Sequence, residues 1–209
     1  MAETRSRTGR TQQERSEATT AELLAAAREL FASDGYAATS LDAIASAAGV
    51  TKGALYHHFE SKRDVFRAVY VAEQGRLAEV EARAYRGEDD PWEGFYAACR
   101  AFLEASLDPR VQQITIIDAP GALGPDAMLE TEADAVAMTK DGLRHAMEAG
   151  SIPSRPVDPL AHLVFGALCQ AATTIARSKD PKSELRGILA ELRRMLDALA
   201  AAPAERARG

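Results

Sequence analysis

The stretch from Ser40 to Ser61 constrains the fold more than any other part of the chain. Ser40 precedes Leu41, Ile44, Ala45 and Ala48, which occupy positions i, i+3, i+4 and i+7 of one helical face, and its hydroxyl suits an N-cap. Gly49 suits the left-handed residue that ends a helix, and Thr51 caps another helix two residues later. That helix runs from Lys52 to about Phe59, turns Leu55 and Phe59 inward, and leaves Lys52, Tyr56 and His57 on other faces. Two short helices separated by a turn of about three residues form a helix-turn-helix, whose second helix can be laid in the major groove of DNA.

The helical period extends to both sides of this motif. Upstream, from Glu17 to Ala32, the residues Leu23, Ala27, Leu30 and Phe31 share one face, and Asp34-Gly35 ends the helix. Downstream, Ser61 caps a long fourth helix that carries Val65, Phe66, Val69, Tyr70, Leu77 and Val80 to about Arg86. The polar breaker Gly87 to Pro91 precedes an amphipathic helix through Trp92, Phe95, Tyr96, Cys99, Phe102 and Leu103, which ends at Asp108-Pro109. A short helix with Val111, Ile114, Ile116 and Ile117 breaks at Pro120-Gly121 and Gly124-Pro125. Helices over about 126 to 148, 159 to 177 and 182 to 201 complete an all-α fold of about nine helices. Composition agrees: 43 of the 209 residues are alanine, the best helix former, and runs of β-branched residues are scarce.

Charge is uneven along the chain. Residues 1 to 67 hold 9 basic and 9 acidic residues, so the whole net charge of -6 lies in the remainder. A neutral segment within an acidic protein is where a polyanion can approach without strong repulsion. Residues 1 to 15, rich in arginine and nearly free of apolar groups, read as a disordered basic arm or an inert tail, and the tail from 204 to 209 reads as frayed. Cys99 and Cys169 lie far apart in sequence with no CxxC or His/Cys cluster, which suggests neither a disulfide framework nor a metal site. The N-terminus has no apolar signal region, and no run of 18 uninterrupted apolar residues occurs, so a cytoplasmic protein without a membrane span is expected.

The run TSLDAIASAAGVTKGALYHHFESKRDVFRAVY, residues 39 to 70, with the preceding LLAAARELFASDGYAATS, closely resembles the DNA-binding segment of the TetR family of bacterial transcriptional regulators. The resemblance covers about the first 70 residues. It implies that Thr39, Thr51, Tyr56, His57 and Lys62 contact backbone phosphates and that Lys52, Gly53 and Ala54 come nearest the base edges, while Ser40 is expected at the DNA because it starts a helix whose free N–H groups attract phosphate. Gly53 has a physical reading of its own. It costs about 1 kcal/mol of helix propensity relative to alanine, so its presence near the start of the helix suggests that a side chain there would obstruct something.

The resemblance divides the chain into a helix-turn-helix domain over 16–62 and a ligand-binding and dimerisation domain over 63–203. It implies a homodimer formed by the last two helices, which carry Leu163, Ala167, Ala171, Leu185, Leu189, Leu192 and Leu196. Apolar and sparsely polar residues are available to line a pocket for a small hydrophobic ligand: Trp92, Phe95, Tyr96, Cys99, Phe102, Met128, Met138, His145, His162, Phe165, Cys169, Gln170 and Thr173. No catalytic set, cofactor motif or metal-ligand spacing stands in a credible context, which leaves a helical enzyme or a protein-binding adaptor as alternatives. The expected function is a ligand-responsive regulator bound to a double-stranded DNA operator, with repression as the family default and activation left open.

Overall fold

The structure, a computed structural model, describes residues 11–201, which are helical with no strand among them. The chain divides into two compact units, one ending at Val69 and the other beginning at Tyr70.

The first unit contains α1 (Gln12–Ala38), α2 (Leu41–Ala47), α3 (Lys52–His58) and the start of α4 (Lys62–Tyr85). α1 begins earlier than the apolar period suggested because Thr11 and Glu14 form a capping box. The Thr11 hydroxyl accepts from the Glu14 N–H, and the Glu14 carboxylate accepts from the Thr11 N–H at 2.7 Å. Residues 12 to 15, expected in a disordered arm, are therefore helical, while residues 1 to 10 of that arm and the tail from 204 lie outside the described residues. The backbone of α1 breaks at Gly35, where φ is 79°, as Asp34-Gly35 suggested. Leu23, Ala27, Phe31, Ile44, Leu55, Val65 and Phe66 are completely buried, and Phe66 meets Phe31 and Tyr36 edge to face at 5.0 Å. Because Val65, Phe66 and Val69 complete this core, the unit extends past the expected boundary at residue 62.

The second unit contains the rest of α4 with α5 (Pro91–Ala105), α6 (Pro109–Val111), a π-helical stretch (Gln112–Asp118), α7 (Ala119–Glu148), α8 (Val157–Arg177) and α9 (Pro181–Ala200). The expected break at Pro120-Gly121 does not occur. Pro120 lies in the first turn of α7, which continues directly from the π-helical stretch, and the interruption falls only at Gly124 (φ 75°) ahead of Pro125. The core gathers Trp92, Phe95, Leu103, Leu143, Val164, Leu168, Ile175 and Leu196. α8 has the length and apolar composition of a membrane-crossing helix, but its Ala161, Val164, Leu168, Ala172 and Ile175 are packed into this core. Leu185, Leu192 and Leu196, expected at a dimer seam, are likewise buried within their own unit at 7%, 7% and 1% exposure. Leu163 is the opposite case, with 72% of its surface exposed.

Candidate nucleic-acid interface and ligand cavity

The helix-turn-helix is built by local caps. The Ser40 hydroxyl accepts from the Ala43 N–H at 3.1 Å and starts α2. Gly49 adopts φ +67°, and the Val50 N–H returns to the Ala45 carbonyl at 3.0 Å, which closes α2. The Thr51 hydroxyl then accepts from the Ala54 N–H at 3.2 Å and starts α3. Leu55 anchors α3 in the core, so Thr51, Lys52, Gly53, Tyr56 and His57 are left exposed, with Ala54 half-buried. His58 faces the protein instead, its Nδ1 lying 3.2 Å from the Thr20 hydroxyl of α1.

Lys52 is not idle on this surface. Its ammonium pairs with the Asp42 carboxylate at 2.8 Å, and that bond holds its pKa above the ordinary lysine value. The pair joins α2 to α3 and must open or share the ammonium before Lys52 can reach DNA. Gly53 answers the question that the sequence raised. A Cβ placed there meets nothing within 4 Å, so the protein itself gives no steric reason for glycine.

Two residues expected along the DNA backbone have partners within the protein. Thr39 is 3% exposed, and its hydroxyl donates to the carbonyls of Gly35 at 2.8 Å and Leu30 at 3.2 Å, so it closes α1 rather than facing outward. Lys62 donates to the carbonyls of Tyr36 at 2.7 Å, Thr39 at 2.9 Å and Ala37 at 3.3 Å, with its ammonium 4.4 Å from the centre of the Tyr36 ring. It is a tertiary cap on the C-terminal end of α1, where the unpaired carbonyls concentrate negative charge.

The second unit holds a half-open cavity of about 240 Å³ lined from α4, α5, α7 and α8. Phe95, Ala98, Cys99, Met138 and Leu168 supply apolar wall, and Glu81, Tyr85, Arg86, Thr139, Asp141 and His145 supply the polar groups. Of the residues expected to line a pocket, Phe95, Cys99, Met138 and His145 do so. Trp92 stacks on Phe95 at 5.3 Å within the core, Tyr96 lies beneath the Arg193 guanidinium at 5.0 Å, and Phe102 packs on the core. Met128, His162, Phe165, Cys169, Gln170 and Thr173 are not among the lining residues, and His162 and Gln170 are exposed.

The cavity is shaped by close backbone approach. A Cβ on Gly142 would stand 2.7 Å from the Phe95 ring, and one on Gly94 would stand 2.9 Å from the Tyr85 carbonyl oxygen. Arg193 clamps α9 to α5 through paired bonds to Glu93 at 2.5 and 2.7 Å, and its Nε adds Asp197 at 2.8 Å. Glu81 is the unusual group in the wall. Burial pushes its carboxyl up from 4.5 to about 7. The Cys99 thiol is pushed up to about 12, first by burial and then by the Glu81 charge, which makes it an unreactive lining group. Among the described residues, no group of three His, Cys, Asp or Glu side chains is placed to hold a metal ion.

Comparison with known proteins extends the resemblance beyond the helix-turn-helix. Residues 23–69 match the family described as bacterial regulatory proteins, tetR family, and residues 92–199 match the family described as tetracyclin repressor-like, C-terminal domain. The HTH-type transcriptional regulator SrpR of Pseudomonas putida is 29% identical over 180 residues, 81% of this chain and 80% of that protein. The crystal structure of a TetR-family transcriptional regulator from Pectobacterium atrosepticum is 34% identical and superposes with a TM-score of 0.82, covering 93% of this chain and all of that one. FadR of Bacillus subtilis in complex with stearoyl-CoA shares the fold, with a TM-score of 0.68, 18% identity, and coverage of 82% of this chain and 96% of that one.

Proposed function

The chain belongs to the TetR family of bacterial transcriptional regulators, and from that premise we propose that it is a repressor which a small, largely hydrophobic molecule releases from a palindromic operator in the cytoplasm. The family consists of DNA-binding regulators rather than enzymes. The observation that carries the reading is the exposed face of α3, where Thr51, Lys52, Gly53, Tyr56 and His57 stand clear of the core while Leu55 fixes the helix from behind. Lys52 and the backbone around Gly53 are assigned to base edges. Thr51, Tyr56, His57 and the capped helix starts are assigned to phosphates.

A homodimer is part of the proposal, because two recognition helices one DNA turn apart bind a palindrome far more tightly than one. The surface proposed to carry it is the exposed strip of α8 and α9, where Leu163, Gly166, Ala167, Gly187 and Ala190 combine an apolar side chain with small residues that permit close helix approach. The buried leucines of α9 stand behind this strip as its support.

The cavity of the second unit is proposed as the inducer site, and the stearoyl-CoA bound by the fold relative FadR supports a ligand role for this domain. An inducer can shift operator affinity only by its difference in binding between the DNA-competent and DNA-incompetent states, typically about 1 to 3 kcal/mol, or 5- to 150-fold.

Gly53→Ala tests the interface. The added methyl meets no protein atom, so stability is expected to hold or rise by up to about 1 kcal/mol. Operator affinity is expected to fall at least tenfold in an equilibrium binding titration. A variant that folds as well as the parent and binds the operator equally would show that nothing approaches α3 at Gly53.

A further inference from the structure

We propose that the molecule taken by the cavity is a lipophilic amine, bound with its ammonium on the Glu81 carboxylate and its apolar body between Phe95, Met138 and Leu168. This rests on the reading of the second unit as a ligand domain and names the chemistry of that ligand.

The charges lining the cavity are unequal in their partners. Asp141 is exposed and bonded to Arg144 at 2.8 Å, and Tyr85 shares a 3.2 Å hydrogen bond with His145. Arg86 is exposed to solvent. Glu81 is the half-buried one of these two acidic groups and lines the cavity, and no hydrogen bond or ion pair to it is found among the described residues. The thiols that feel its charge, Cys99 on α5 and Cys169 on α8, offer no cation, and Glu132 of α7 adds a second, partly withdrawn carboxylate beside Cys169.

A carboxylate in such a place either stays protonated or recruits a positive charge. A bound ammonium supplies that charge and forms a charge-assisted hydrogen bond. An acidic ligand would instead set a further negative charge against Glu81, Asp141 and Glu132. Phe95 and Tyr85 add ring surface of the kind that attracts cations. The volume of about 240 Å³ suits a molecule with one ring and a short chain rather than a long acyl group.

Ionisation of Glu81 is then linked to binding. Because its carboxyl titrates at about 7, the ionised fraction rises roughly tenfold between pH 6 and pH 8, while an alkylamine remains protonated throughout. His145 and Asp141 on α7 and Tyr85 and Arg86 on α4 border the same space, so the assignment to Glu81 is made by substitution.

The experiment is calorimetric titration of the intact protein at both pH values with three probes of one shape: 4-phenylbutylamine, 4-phenylbutan-1-ol and 4-phenylbutanoate. The amine is expected to bind at least tenfold tighter than the alcohol at pH 8, and to gain roughly tenfold in affinity from pH 6 to pH 8. Glu81→Gln is expected to reduce the amine to the affinity of the alcohol and remove its pH dependence, while alcohol binding persists as proof of an intact cavity. The proposal is overturned if the acid binds best, which would assign the site to Arg86, or if Glu81→Gln leaves amine affinity unchanged. Failure of all three probes to bind would overturn both the amine assignment and the cavity as a ligand site. Amine binding that leaves operator affinity unaltered would uphold the chemistry and contradict the regulatory reading.

Discussion

Raising the salt concentration from 50 to 200 mM is expected to lower operator affinity by roughly 10³ to 10⁵, the loss typical of a protein that contacts about six to ten phosphates. The expectation follows from the charge distribution. The protein has a net charge of -6, and only its first third is neutral, so binding must come from a local match at the helix-turn-helix rather than from general attraction. The structure also changes which residues should govern the slope. Lys62 spends its ammonium on the carbonyls of Tyr36, Ala37 and Thr39, so Lys62→Met should weaken the fold of the first unit without altering the slope. Lys52 is paired with the exposed Asp42, an interaction that surface exposure and salt both weaken. Lys52→Ala should therefore cost more on the operator than on random duplex if the side chain reads a base, and equally on both if it meets phosphate. A flat response to salt would exclude the proposed interface.

The second large effect concerns assembly. Leu163→Glu is expected to produce a folded monomer that has lost nearly all operator binding. In the isolated chain residue 163 is 72% exposed, so a carboxylate there costs the fold little. Across a dimer seam it would be buried without a partner, at several kcal/mol, and loss of the second recognition helix removes a bivalent gain of about 10² to 10⁴. Sedimentation and circular dichroism should report half the mass with unchanged helicity. Leu192→Glu should behave differently, because that side chain lies in its own core at 7% exposure and the substitution should unfold the protein. A dimeric Leu163→Glu protein would place the seam elsewhere.

Sequence patterns disclosed the local features of the fold and missed those that depend on tertiary reach. The caps at Ser40 and Thr51 and the left-handed Gly49 were legible because each is set by neighbours a few residues away. The roles of Thr39 and Lys62 were not, since the partners of Lys62 lie more than twenty positions back in the chain and the resemblance marked both residues for DNA. The α9 stripe of Leu185, Leu192 and Leu196 was read as apolar and expected at a dimer seam, whereas within one chain these side chains pack into the core of their own unit. A stripe has the same spacing whether it packs on its own core or on a second copy, and only exposure separates the two. The cavity showed a related limit. Aromatic and sulfur-containing residues drew attention to α5, whereas Glu81 and Arg86 lie on a polar helix that carried no pocket signal, and Gly142 marks the site only once its approach to Phe95 is known.

The central claim is that a dimer presents two α3 helices to duplex DNA. It is tested most directly by selecting bound sequences from a random duplex pool with the purified full-length protein, then titrating the best of them. The expected result is a twofold-symmetric site whose half-sites are centred about 34 to 36 Å apart along the DNA or a multiple of that spacing, bound at least 10³-fold more tightly than random duplex at physiological salt. Recovery of no enriched sequence, or of an asymmetric site bound by one protomer, would contradict it.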